Sequence, residues 1–161
     1  MNLTKFIVLL LTLALAISGF YCSSTEEPTE EGSIPDKFVG TWQANNDLEE
    51  TSIVYTSVAN PALSIDVTAL ASVTATINKS GAYNLTFVDP ISGTDTDQGT
   101  ASIDETNGFI TLNSSEAGAE DLIFAYDWDG DLLVLQTLTT FDFTGQGEEE
   151  AVVKLTLKKT P

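Results

Sequence analysis

Histidine and arginine are absent from this 161-residue chain, and cysteine occurs once. Without histidine the chain lacks the usual general base and the commonest metal ligand. Without arginine it lacks the planar fork that grips phosphates and carboxylates. A lone Cys22 allows no intramolecular disulfide and leaves no paired-thiol chemistry. Cations are scarce too: six lysines stand against 24 acids, for a net charge of −18. Such a balance keeps a protein soluble and argues against nucleic acid as a partner. The enzymatic route that remains is a carboxylate pair, as in glycoside hydrolysis. The acids are too many for any pair to be singled out, so no catalytic residue is assigned and no enzyme activity is expected. Neither a metal nor a cofactor is expected.

What is present begins with "MNLTKFIVLLLTLALAISGFYC". Lys5 and the amino terminus make a short positive region, and 6–17 is apolar but for Thr12. This is the order of a secretory signal peptide. Its core is too short for a comfortable membrane span, which takes about 20 residues. The apolar run ends on Cys22 and gives way to "SSTEEPTEEG". The arrangement resembles a bacterial lipoprotein signal, in which the cysteine is acylated and becomes the new amino terminus. Tyr21 departs from the small residue usual before that cysteine; the alternative is a plain secreted protein cut after Ala16. The resemblance implies a signal at 1–21, a lipidated and disordered tether at 22–33, and one domain at 34–161. It also implies the cell envelope as the location, at the outer membrane, with Cys22 holding the chain to the lipid. The acid-rich tail cannot bury apolar area, which suits a tether.

From Ile34 onward the dominant period is two. In "LSIDVTALASVTATIN", 63–78, Leu63, Ile65, Val67, Ala69, Ala71, Val73, Ala75 and Ile77 alternate with polar residues, Leu70 excepted. That is a half-buried strand. It is longer than ordinary strands, so a bend or split near 69–72 is expected. "AYNLTFVD", "GTASID", "FITLN", "LIFAYDW", "LLVLQTLT" and "AVVKLTLKK" follow, joined by turn signals such as Asn107-Gly108 and Asp129-Gly130. "GTWQA" and "SIVYTSV" precede them. No segment carries a helical period longer than a few residues. The stretches "DPISGTDTDQ", "NSSEAGAED" and "TGQGEEE" read as polar, acidic loops. The pattern predicts an all-β fold, an antiparallel up-and-down barrel of about 8–10 strands, with a β-sandwich as the alternative.

"KFVGTWQ", 37–43, sets Gly40 and Trp42 at the first domain strand. It resembles the Gly-x-Trp signature of lipocalins and related calycin barrels. The resemblance implies that Trp42 closes the barrel floor and that a basic residue from the last strand packs on it. In this chain that residue is a lysine, Lys154, Lys158 or Lys159. The resemblance also implies a monomer that binds a small hydrophobic ligand. Tyr83, Phe87, Phe124, Tyr126 and Trp128 are the candidate ligand-facing residues, since they share the apolar faces of their strands. The competing expectation is a filled barrel or sandwich core that acts through its surface, in which those rings are ordinary core. "DWDGDLL" invites a calcium site through Asp127, Asp129 and Asp131, but the later bidentate Glu of an EF-hand is missing. Asp129-Gly130 between apolar runs is the chemistry of a tight turn.

Overall fold

The computed structural model describes residues 33–89 and 93–161. The signal segment and Cys22 lie outside the described residues, as does the tether but for Ser33. Ten strands follow one another: β1 (Gly40–Ala44), β2 (Ser52–Ser57), β3 (Ser64–Asp66), β4 (Ser72–Ile77), β5 (Ala82–Asp89), β6 (Gly93–Asp104), β7 (Phe109–Ser114), β8 (Leu122–Asp129), β9 (Leu132–Phe141) and β10 (Glu149–Thr160). Among the described residues there is no α-helix.

The ten strands make the eight staves of a closed antiparallel up-and-down barrel. The first two staves are composite. Opposite β10, Gln43 pairs with Lys158 and Ser52 with Thr156, so β1 and β2 run on as one line. Residues 45–51 leave that line and return to it, held by the Thr51 hydroxyl, which donates to the carbonyls of Asn45 and Leu48. The second stave is the long alternating stretch of 63–78, split into β3 and β4. Between them 67–71 turns on backbone bonds from Leu70 N and Ala71 N to Val67 O. From β4 onward each strand pairs with the next, through to β10. β1 then pairs with β10, which closes the barrel and removes the sandwich alternative. Closure leaves the staves no free edge except that of β3, which pairs with β2 alone.

Two stretches expected as loops are strands. Residues 93–98 extend β6 and pair with β5, with Thr96 opposite Thr86 and Asp97 opposite Leu85. Threonine at alternate positions suits a pleated wall, and the inward carboxylate of Asp97 has its own hydroxyl partners, described below. Glu149 and Glu150 likewise belong to β10, opposite Phe141 and Thr140. Charge hid both strands because the apolar period stops short of each strand's end.

The core fills the half of the barrel where the chain enters. Residues 33–39 fold under that end, with Phe38 N bonded to Pro35 O and Ile34 N to Lys79 O. Phe38 is fully buried and Ile34 nearly so. Above them lie Trp42, Ile53, Val73, Ile77, Ile110, Leu133 and Leu157. At the other end the connections β2–β3, β7–β8 and β9–β10 and the ends of β5 and β6 surround the rim.

Candidate functional site

The floor is organised around Trp42. Its indole N–H donates to the carbonyl of Phe38, 2.9 Å away, a buried bond that ties the first strand to the plug beneath it. Phe38 in turn meets Tyr126 edge-on at 5.0 Å and Trp128 at 5.4 Å, and Trp128 meets Trp42 at 5.6 Å. Such edge and tilted contacts favour ring quadrupoles beyond simple area burial.

The cation on Trp42 is Lys159, with its ammonium 5.5 Å from the ring centroid. Lys159 stands directly opposite Trp42 in the β1–β10 ladder, so both side chains share a face. Lys154 and Lys158 do not take this place. They alternate with Val153, Leu155 and Leu157, which face inward, and so point out of the barrel. Lys158 instead pairs with Glu50 at 3.5 Å. Gly40 makes room for Lys159: a Cβ there would lie 2.5 Å from the lysine Cε, and the backbone sits at φ +138°. The Gly-x-Trp spacing thus has a local cause. The glycine clears the path of the stem that lays its cation over the indole two residues on.

Of the five candidate ligand-facing residues, Tyr83 and Phe124 line an interior cavity with Trp42 and leucine, isoleucine and valine side chains. Tyr126 and Trp128 are taken up by Phe38, and Phe87 lies half-buried nearer the rim. The cavity measures about 20 Å³. That is room for about one water, and its walls are apolar.

A polar layer adjoins the cavity at Tyr83. Asp97, pointing inward from β6, accepts the hydroxyl of Tyr83 and, at 2.6 Å, that of Ser114. Gln98 N–H adds a bond of 2.9 Å. Partial burial pushes the Asp97 carboxyl up, but the bonds from Ser114, Tyr83 and Gln98 outweigh it and hold the group below the usual carboxylate range. Burial, then the nearby carboxylate, raises the Tyr83 phenol. Close contact of β6 with β7 at this level depends on Gly99, where a Cβ would come within 1.9 Å of Asn113 O. At the rim itself Tyr55 stacks on Phe141 at 4.3 Å, and Phe143 meets Phe141 at 4.9 Å.

The lysines divide along the same axis, whereas acids stand at both ends. The rim and the strand ends beside it carry Asp89, Asp95, Glu116, Glu120, Asp121, Asp142, Glu148, Glu149 and Glu150, and no lysine. The closed end carries Lys37, Lys79, Lys158 and Lys159. Lys37 binds Glu105, and Lys79 binds Asp36. The hydrogen bond and charge of Lys79 hold the Asp36 carboxyl low. The Asp127–Asp131 stretch is the β8–β9 hairpin, with Asp129 opposite Leu132 and Gly130 in the left-handed region at φ +60°. Among the described residues no three His, Cys, Asp or Glu side chains gather as a metal would require.

No protein family, no curated protein and no solved structure matches this chain.

The sequence reading missed the plug and the polar layer. Phe38, four residues before Trp42, belongs to no strand pattern, and its only signal is an aromatic beside Pro35 in a short run before the first strand. The Lys159 position was readable, because it continues the inward parity of Val153, Leu155 and Leu157.

Proposed function

We propose that this chain is a lipid-anchored protein of the bacterial cell envelope, without enzyme activity, that works through its outer surface on a filled barrel. The observation that carries the reading is the interior. Small-molecule sites occupy roughly 300–1,000 Å³, and the apolar cavity here is about 20 Å³. Of the residues set out as ligand-facing, Tyr126 and Trp128 pack on Phe38 and Tyr83 is bonded to Asp97. The residue types present favour the same conclusion: without His, Arg or a second Cys, the usual groups for acid–base, phosphate and thiol chemistry are missing. The chain enters the barrel at the lysine-bearing end. An anchor at Cys22 therefore turns the acidic rim away from the bilayer, toward cationic partners.

The test is made on the full chain in a bacterial host supplied with an alkyne fatty acid. The parent should take the label and sediment with membranes, and Cys22→Ala should do neither. Equal labelling of both would remove the anchor. Native mass spectrometry of the purified parent should give the mass of the acylated chain alone. A stoichiometric apolar molecule without a phosphate group retained in that spectrum would overturn the surface reading in favour of ligand carriage.

A further inference from the structure

Beneath the floor, Lys37, Lys158 and Lys159 line a groove of about 610 Å³ together with Trp42, Trp128 and Asp131. Three features set it apart from the rest of the surface. First, four of the five lysines among the described residues lie at this end, in a chain where acids outnumber lysines four to one. Second, Lys159 forms no ion pair with a carboxylate among the described residues. The pairs that Lys37 and Lys158 make are with exposed glutamates, and such surface pairs are weak enough to be exchanged for a ligand. Third, the indole N–H of Trp128 is buried and has no hydrogen-bond partner. A buried donor without a partner carries a desolvation cost that an incoming oxygen would relieve.

We propose that this groove binds a phosphate ester. The oxyanion sits on the Lys159 ammonium, Lys158 reaches the groove from the outer face of the strand, the Trp128 N–H supplies a further donor, and the Trp128 ring flanks the apolar part of the ester. Phosphate suits the site better than carboxylate. Lysines act as point charges around a tetrahedral anion, whereas planar recognition of a carboxylate is the work of arginine, which this chain lacks. Asp131 on the groove wall disfavours a second full negative charge, so a diester is preferred to a dianionic monoester. Two sources share this chemistry, a phospholipid head group and a soluble ester. The lipid source rests on the anchor reading, since Ile34 N bonds to Lys79 O and brings the tether to this end. The groove itself does not depend on it.

The chain has two tryptophans, and both line the groove, so intrinsic emission reports on it. The full chain carrying Cys22→Ser, which cannot be acylated, is titrated with glycerophosphoglycerol, the soluble head-group diester, against glycerol and sodium chloride at matched ionic strength. A second arm uses vesicles of phosphatidylglycerol against vesicles of an uncharged, phosphate-free glycolipid. The expected result is a saturable emission change with the phosphate compounds alone. Lys159→Gln should weaken it about tenfold, the size expected from losing one charge-assisted hydrogen bond, in a chain that circular dichroism shows still folded at the titration temperature. Lys154→Gln, on the outer wall, should leave it intact. Binding to phosphatidylglycerol vesicles far tighter than to the soluble diester identifies the lipid source, and binding to the diester without vesicle binding identifies a soluble one. An absence of saturation in both arms, or a Lys159→Gln titration that overlays the parent, overturns the proposal. Fatty-acid labelling of the acylated parent is read separately, so failure of the anchor leaves this result standing.

Discussion

At the closed end of the barrel Phe38 is fully buried and Trp42 is 2% exposed, whereas at the rim Tyr55, Phe141 and Phe143 stack on one another yet remain half in water. Both ends are aromatic clusters, of four residues at the floor and three at the rim. They differ in what stands behind them. The floor rings have a plug below, leucines and isoleucines above, and a lysine over the indole. The rim rings have solvent and carboxylates. The closed end is therefore where the stability of the fold is concentrated, and the rim is where sequence is free to serve other ends.

The largest expected effect is at the floor. Trp42→Ala or Phe38→Ala removes a fully enclosed ring and should cost about 3–5 kcal/mol by denaturant unfolding. Tyr55→Ala at the rim should cost about 1–2 kcal/mol, since a half-exposed ring gives up only part of its burial. Equal losses at the two ends would erase the distinction between them.

The layer between the ends should show an intermediate effect. Asp97→Ala leaves two half-buried hydroxyls without their acceptor, at a cost of about 1–3 kcal/mol. The carboxyl is held below its ordinary value in the folded chain. Its stabilisation is therefore complete above about pH 4, the unfolded value, and is lost as pH falls through the lower folded value. Asp97→Asn should flatten that acid limb. At the alkaline side burial raises the Tyr83 and Tyr55 phenols, so stability should decline as pH climbs past about 10. An acid limb unchanged in Asp97→Asn would mean that the layer is not held by this carboxylate.

The smallest expected effect is electrostatic. Carboxylates crowd the rim without a lysine among them, and exposed charges are screened over about 10 Å at 0.1 M salt. Raising sodium chloride from low levels should lift the thermal midpoint modestly by relieving self-repulsion. Glu149→Gln with Glu150→Gln should shrink that salt response, whereas Lys154→Gln should not. A midpoint indifferent to salt would remove repulsion at the rim from the account.

Much of the barrel was legible because alternation reports directly which face of a strand is buried. The long stretch of 63–78 announced its own break, as no single stave needs sixteen residues, and the break falls at 67–71. The parity of β10 also puts Lys159 on the inward face, and the register of the closing ladder sets it opposite Trp42. Alternation failed where polar side chains face inward. Asp97 looks like loop chemistry in sequence, and only its neighbours across β5 and β7, Tyr83 and Ser114, make it a strand residue. The plug was hidden for a different reason: 33–39 has no period, and its burial comes from tertiary contact with Trp42, Tyr126 and Trp128 rather than from any local pattern. Whether the apolar interior is filled or hollow was also beyond the sequence, because inward alanines at 71 and 75 fit either a ligand or a neighbouring ring.

That last question is the centre of the account, and one titration addresses it. Trp42 lines the interior cavity, so an apolar fluorescent fatty acid entering the barrel would accept energy from it. The full chain carrying Cys22→Ala, free of its own acyl groups, is titrated with such a probe under tryptophan excitation. A filled interior predicts no saturable energy transfer at probe concentrations below its own aggregation. Saturable transfer at one probe per chain, reversed by an unlabelled fatty acid, would contradict it and make this barrel a carrier.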